Sequence, residues 1–192
     1  MIKLYGSTTS PFVRRLRIWL ANDDHEFINM DIFAGADRED LAARNPAMKI
    51  PMIECDGETV FDSRVIYRYL SEKLDYPNPN WEQENHLTVI DAVNDSLVQI
   101  LMLQRSDIDT DADHMYFRIQ RERVDTSLRY LDDLVQRGFF NDWHYPSICL
   151  YCLIDWVEFR VLHDLSEVAH LREFHEKNAD RIEVTATDPR RS

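Results

Sequence analysis

The chain has 192 residues, 44% of them hydrophobic, with 35 acids against 22 bases. That is enough apolar material for a real core, so intrinsic disorder is excluded for most of the chain, and one domain or two small ones will fit. A formal charge of −13 opposes phosphate backbones; the basic pairs Arg14-Arg15 and Arg190-Arg191 are small against that excess, so direct nucleic-acid binding is not expected.

Up to about residue 75 short strand-like and helix-like pieces alternate in the order βαβαββα. Met1 to Tyr5 reads as a first strand. Pro11 to Asn22 reads as a helix with Phe12, Leu16, Trp19 and Leu20 on one face, Ser10 as its cap and Pro11 in the first turn. His25 to Ile32 is a second strand and Arg38 to Arg44 a short helix stopped by Asn45-Pro46. Pro51 to Cys55 pairs with Thr59 to Phe61 across the turn Asp56-Gly57, a good hairpin signal. A third helix runs from Asp62 or Ser63 to Asp75, with Val65, Ile66, Tyr69, Leu70 and Leu74 facing inward. The two prolines and two asparagines of Tyr76 to Asn80 then break any regular element.

After that break the strand signal vanishes. Helices are expected over Gln83–Gln104 and Asp113–Arg137, the latter stopped by Gly138. Ile148 to Phe159 is apolar nearly all round, the mark of a central bundle helix, and Leu165 to Ala179 closes the bundle, with an extended or loose tail after Glu183. The resulting division is residues 1–75, a linker at 76–83, and an all-α domain over 84–192. The longest purely apolar run, Ile148 to Ile154, is far short of the ~20 residues of a bilayer span, and Met1 to Gly6 alternates like a strand rather than a secretory leader. No membrane association and a cytoplasmic location are expected. Cys55, Cys149 and Cys152, odd in number and without framework spacing, fit reduced thiols. Cys149 and Cys152 fall in the most apolar helix and read as core. His170 and His175 lie on different helix faces, so no metal is expected.

Three short motifs in order, Ser10-Pro11-Phe12-Val13 after the first strand, Lys49-Ile50-Pro51 before the third and Phe61-Asp62-Ser63 opening the third helix, resemble the glutathione S-transferase superfamily. Asp155-Trp156-Val157-Glu158-Phe159-Arg160, followed by Arg181 and Thr187-Asp188-Pro189, resembles the end of its small bacterial members. The resemblance spans essentially the whole chain. It implies an α+β, thioredoxin-like N-terminal domain, a helical-bundle C-terminal domain, glutathione as cosubstrate and a homodimer.

Glutathione needs a partner for its amino-acid head, its thiol and its glycyl carboxylate. Ser10 stands where unpaired N–H groups and the helix dipole favour an anion. By resemblance to serine-type transferases it holds the sulfur, with Thr8 and Thr9 as alternates; a plain N-cap serine would look the same in sequence. No cysteine flanks this turn, which disfavours disulfide exchange of the glutaredoxin kind. The resemblance makes the Ile50-Pro51 bond cis, with Ile50 pairing its backbone to the cysteinyl part of the peptide, and puts Lys49 near the glycyl carboxylate. Asp62 and Ser63 suit an ammonium and a carboxylate, though both are also common helix caps. An electrophile pocket is expected between the domains, at Ile100, Leu103, Met115 and Tyr116. The Ser/Thr-x-x-Asp box usual at the central helix of the bundle is broken: one register puts Leu150 at the acid position, the other puts His144 at the cap and Ser147 at the acid. Two functions follow, with glutathione peroxidase-like or dehalogenase activity a third option that shares the site of the first and differs only in the electrophile. One is conjugation of the glutathione thiolate to a small hydrophobic electrophile; the other is a non-catalytic scaffold for a protein partner, like the stringent-starvation member that associates with RNA polymerase.

Overall fold

A computed structural model describes residues 1–191. The chain divides into two compact units, one made of Met1–Pro79 together with Asp180–Ser192, the other of Asn80–Ala179. In the first unit the order is β1 (Ile2–Gly6), α1 (Pro11–Trp19), β2 (His25–Asn29), α2 (Gly35–Arg44), β3 (Met52–Cys55), β4 (Glu58–Phe61) and α3 (Ser63–Lys73). This is the βαβαββα order expected from the alternation of periods.

The four strands form one sheet in the order β2-β1-β3-β4. β1 runs parallel to β2, with Ile2 opposite His25. It runs antiparallel to β3, with Tyr5 opposite Met52, and β3 is antiparallel to β4, with Met52 opposite Phe61. The β3–β4 turn has positive φ at both Asp56 and Gly57, the geometry that matches the strands' own twist. Leu41 of α2 packs with Tyr5, Met30 and Met52. Arg44 of α2 adds a polar tie: it donates to Glu54 at 2.9 Å, pairs with Asp40 and lies over the Tyr5 ring, whose hydroxyl donates to Glu54 at 2.8 Å. The hydrogen bonds from Tyr5 and Arg44 hold the Glu54 carboxyl below its ordinary range. Burial, with Glu54 beside it, pushes the Tyr5 hydroxyl up.

α1 is covered on more than its one apolar face: its run Val13, Arg14, Arg15 and Leu16 is buried throughout, so the basic pair is internal. The cause lies far along the chain: both α3 and the returning C-terminal segment pack on α1. That segment is neither extended nor loose. It folds as α8 (Ile182–Ala186) and a 3₁₀ turn over Pro189–Arg191, and Arg14 donates to Val184 O at 3.2 Å and to Thr187 Oγ1 at 3.3 Å. Residues 180–191 therefore complete the first unit. In α3 the buried stripe is Ser63, Ile66, Tyr67, Leu70 and Ser71, while Val65 is 52% exposed and does not face inward.

The second unit holds α4 (Trp81–Gln104), α5 (Met115–Gln136), α6 (Tyr145–Arg160) and α7 (Ala169–Asn178). α4 begins with a capping box between Asn80 and Gln83. By length and composition alone α4 would qualify as a membrane span, although polar residues interrupt its apolar ones throughout. It nonetheless packs on α5 and α6 and buries His86, Asn94 and Ser96, as a bundle helix does. α6 is buried from Tyr145 to Val157, as its all-round apolar pattern requires. Its cap is His144, whose Nδ1 accepts the Ser147 N–H at 3.2 Å, while the Ser147 hydroxyl donates to Asp142 O at 2.6 Å. α7 has no side-chain cap of its own. Asp132 of α5 accepts the Leu171 N–H at 2.9 Å and meets His170 at 2.8 Å, raising the His170 pKa.

Candidate functional site

The sheet topology gathers the three motifs at one end of the first unit. With Tyr5 opposite Met52 and Met52 opposite Phe61, the end of β1, the start of β3 and the end of β4 share one margin of the sheet. The turn to Ser10 leaves from the first, Ile50-Pro51 enters the second, and Asp62-Ser63 follows the third.

The β1–α1 turn is tight because Gly6 has no side chain: a Cβ there would lie 2.4 Å from a methyl carbon of Val13. Beyond it Ser10 N–H bonds Ser7 O at 3.1 Å, and Thr8 N–H reaches Asn29 Oδ1 at 3.1 Å. The Thr9 and Ser7 hydroxyls meet at 3.2 Å. Ser10 is the N-cap of α1, its Oγ accepting the Val13 N–H at 3.3 Å. A hydroxyl has two lone pairs and one hydrogen, so accepting this bond leaves its O–H as a donor. Capping and anion binding are therefore compatible in one side chain.

The Ile50-Pro51 peptide is cis, the isomer the resemblance implies. Its approach is held by Asn45, which is 1% exposed: its Nδ2 donates to Lys49 O at 2.8 Å and its Oδ1 accepts the Ala47 N–H at 2.9 Å. Arg38 of α2 donates to Met48 O at 3.5 Å and Ile32 O at 3.3 Å. Sequence alone marks Asn45 only as a helix stop and gives Arg38 no role; an Asn before a proline-flanked loop is the available signal for the first. Pro51 is buried, Ile50 half-buried and Lys49 exposed.

Asp62 caps α3 with φ at 75° and ψ at 131°, a backbone state that costs an L residue on the order of 1 kcal/mol or more and tends to persist where a site demands it. Both of its capping bonds, from Arg64 N–H at 2.9 Å and Val65 N–H at 3.3 Å, fall on Oδ1. Ser63 is 3% exposed, and its Oγ accepts from Arg15 at 3.5 Å. Two helix N-termini thus open at one sheet margin, each able to take an anion, with a carboxylate beside the second for a cation.

Ile100 and Leu103 lie near the end of α4, half-buried, and Met115 and Tyr116 at the start of α5, exposed. The Tyr116 hydroxyl meets Gln99 of α4, so the four residues sit at one end of the helical unit. Among the described residues no three His, Cys, Asp or Glu form a metal-binding group.

A thioredoxin-like unit followed by a helical bundle is the architecture of glutathione transferases. Residues 4–79 match the model of the glutathione S-transferase N-terminal domain. The chain is 30% identical over 172 residues to the uncharacterized GST-like protein YibF of Escherichia coli, a stretch covering 83% of each. It therefore belongs to the glutathione S-transferase family. Against glutathione S-transferase 3 of Zea mays it is 37% identical over 75 residues, 38% of this chain and only 34% of that protein's length. Its fold superposes with a TM-score of 0.83 on a glutathione S-transferase from Methylobacillus flagellatus crystallised with GSH bound, at 25% identity and covering 98% of this chain and 100% of that one.

Proposed function

We propose that the protein binds glutathione along the shared sheet margin and conjugates its thiolate to a small hydrophobic electrophile. The observation that carries this reading is the convergence of the Ser10 helix mouth, the cis Ile50-Pro51 entry and the Asp62-Ser63 helix mouth at one end of the sheet. In it the backbone of Ile50 adds the cysteinyl part of the peptide as a further strand. Ser63 and the α3 N-terminus take the glutamyl carboxylate, Asp62 the ammonium, and Lys49 the glycyl carboxylate. The Ser10 O–H donates to the sulfur. A free thiol of pKa ~8.5 is only slightly ionised at neutral pH, and one hydrogen bond to the thiolate, worth about 1.5–3 kcal/mol, lowers that pKa by about one to two units. The thiol proton leaves to solvent; the thiolate then forms a carbon–sulfur bond as the leaving group departs with its electron pair. Thr8 and Thr9 are the alternates; of these the Thr9 hydroxyl already meets Ser7. The electrophile lies against Ile100, Leu103, Met115 and Tyr116. A homodimer in the cytoplasm, where thiols stay reduced, is the working form of this reading.

The test is glutathione calorimetry together with conjugation of a chlorinated nitrobenzene. In Ser10→Ala, glutathione binding is retained while conjugation at pH 6.5 falls about 10–100-fold, with the pH–rate profile displaced upward. Absence of glutathione binding by the wild type, with a large protein co-purifying, would favour the scaffold function instead.

A further inference from the structure

Arg15 is fully buried, with 0% exposure, in a chain whose other cations mostly lie at the surface. Its guanidinium is stacked over the Phe12 ring at 4.8 Å and reaches across from α1 to α3, where it donates to Ser63 Oγ at 3.5 Å. It therefore touches both helices whose N-termini open at the sheet margin. Phe12 lies in the first turn of α1, just after Ser10, and Ser63 is the first residue of α3.

We propose that Arg15 is a positioning residue for the carboxylate-binding half of this site, acting through Ser63 and selecting ligands that carry an α-amino-acid head. The inference rests on the glutathione reading above and adds to it the residue that organises its far end. Three physical steps support it. A hydroxyl oxygen that accepts a guanidinium N–H is fixed in place, and its own hydrogen rotates toward an acceptor elsewhere; a carboxylate at the α3 N-terminus is such an acceptor. A fixed cation behind that terminus adds to the helix dipole in attracting an anion, and burial reduces the screening of its charge. Finally, a planar guanidinium resting on an aromatic face is held in orientation as a flexible ammonium is not. Arg15 is buried behind Ser63 and does not itself contact the ligand, so its effect is on binding of one ligand group and not on the bond-making step.

The decisive comparison is between glutathione and γ-aminobutyryl-cysteinyl-glycine, which lacks only the glutamyl α-carboxylate. Calorimetry on the 192-residue chain is expected to show Arg15→Gln weakening glutathione about 5–20-fold, below the roughly 10–150-fold of a charge-assisted hydrogen bond made directly to the ligand because Arg15 acts through Ser63, while affinity for the analogue changes less than about twofold. Ser63→Ala should show the same selectivity, and the double variant should be little weaker than either single one, since both act on one ligand group. Equal weakening of both ligands, or no weakening of either, overturns the proposal. If Arg15→Gln does not fold, as judged by its thermal melt, Ser63→Ala and Arg15→Lys carry the test under the same two criteria. Failure of the wild type to bind glutathione at all would instead overturn the underlying reading, an outcome distinct from wild-type binding with an unselective Arg15 variant.

Discussion

Replacing Asp62 by Asn separates two roles that the structure superimposes on one side chain. The carboxylate caps α3 through Oδ1 and, in the proposed site, faces the glutathione ammonium. Asn is as good an N-cap as Asp and, like it, tolerates positive φ better than other residues, so the cap and the unusual backbone at φ 75° both survive. Stability should therefore change by no more than about 0.5 kcal/mol. The charge does not survive. For a carboxylate and an ammonium about 4 Å apart at a surface, the attraction is ~1 kcal/mol in water and ~4 kcal/mol at an effective dielectric of 20. Asp62 is exposed, which favours the lower part of that range, about 1–2 kcal/mol, or a rise in Kd of roughly 5–30-fold.

Asp62→Ala provides the contrast, because it removes cap and charge together and should destabilise the protein by about 1 kcal/mol as well as weaken binding. The assay is glutathione calorimetry paired with urea unfolding of the same three proteins, repeated at about 1 M salt, where the difference between wild type and Asp62→Asn should shrink. If Asp62→Asn bound glutathione like the wild type while Asp62→Ala did not bind it, the residue would act only as a cap and the ammonium assignment would be wrong.

Two stability predictions test the framework that carries the site. Gly6→Ala drives a Cβ to 2.4 Å from Val13, and overpacking of this kind costs about 1–3 kcal/mol; a change below about 0.5 kcal/mol in urea unfolding would mean that the β1–α1 turn is not held by this approach. At the other unit, the His144 cap requires an unprotonated Nδ1, and burial holds its pKa below the ordinary 6.5. Its contribution, about 1 kcal/mol for a cap, is thus present above pH 6.5 and is lost as pH falls through the lowered value, because the unfolded chain takes up the proton more readily. Asp142, near His144, opposes this shift. Buried His86, whose pKa is likewise lowered by desolvation, titrates in the same sense. Stability measured from about pH 7.5 to 5 should therefore fall less steeply in His144→Ser, which caps without titrating; identical slopes would exclude the His144 cap as a source of the acid sensitivity.

Much of the first unit is legible because local signals and tertiary arrangement agree there. Period-two alternation, the Asp-Gly turn and proline in a first helical turn each have a local cause, and the structure keeps all three. What is not legible comes from distance along the chain. Nothing local marks Arg14 and Arg15 as buried, since a helix ordinarily keeps a wet face. Here both α3 and α8 pack on α1, and the arginines find their acceptors at Val184, Thr187 and Ser63, which no window along the sequence would join. The inward face of α3 departs from expectation at Val65 for a related reason: apolar character alone favours Val65, whereas spacing does not. The stripe Ser63, Ile66, Tyr67, Leu70 keeps helical period, and its first member is a polar residue whose hydroxyl accepts from Arg15.

The cap of α6 shows the same distinction between residue type and chemical need. The usual box is broken in sequence because neither register offers a Ser or Thr followed by an acid, and the reciprocal bond is indeed not made by Ser147, whose hydroxyl goes to Asp142 O. Yet the terminus is capped. The amide of the third helical residue needs a lone pair at the right distance, not a hydroxyl as such, and the Nδ1 of His144 supplies one at 3.2 Å. The substitution leaves the geometry of the helix start intact and changes its response to protons. Such a divergence is invisible to a motif written as residue types but readable when the motif is written as donors and acceptors.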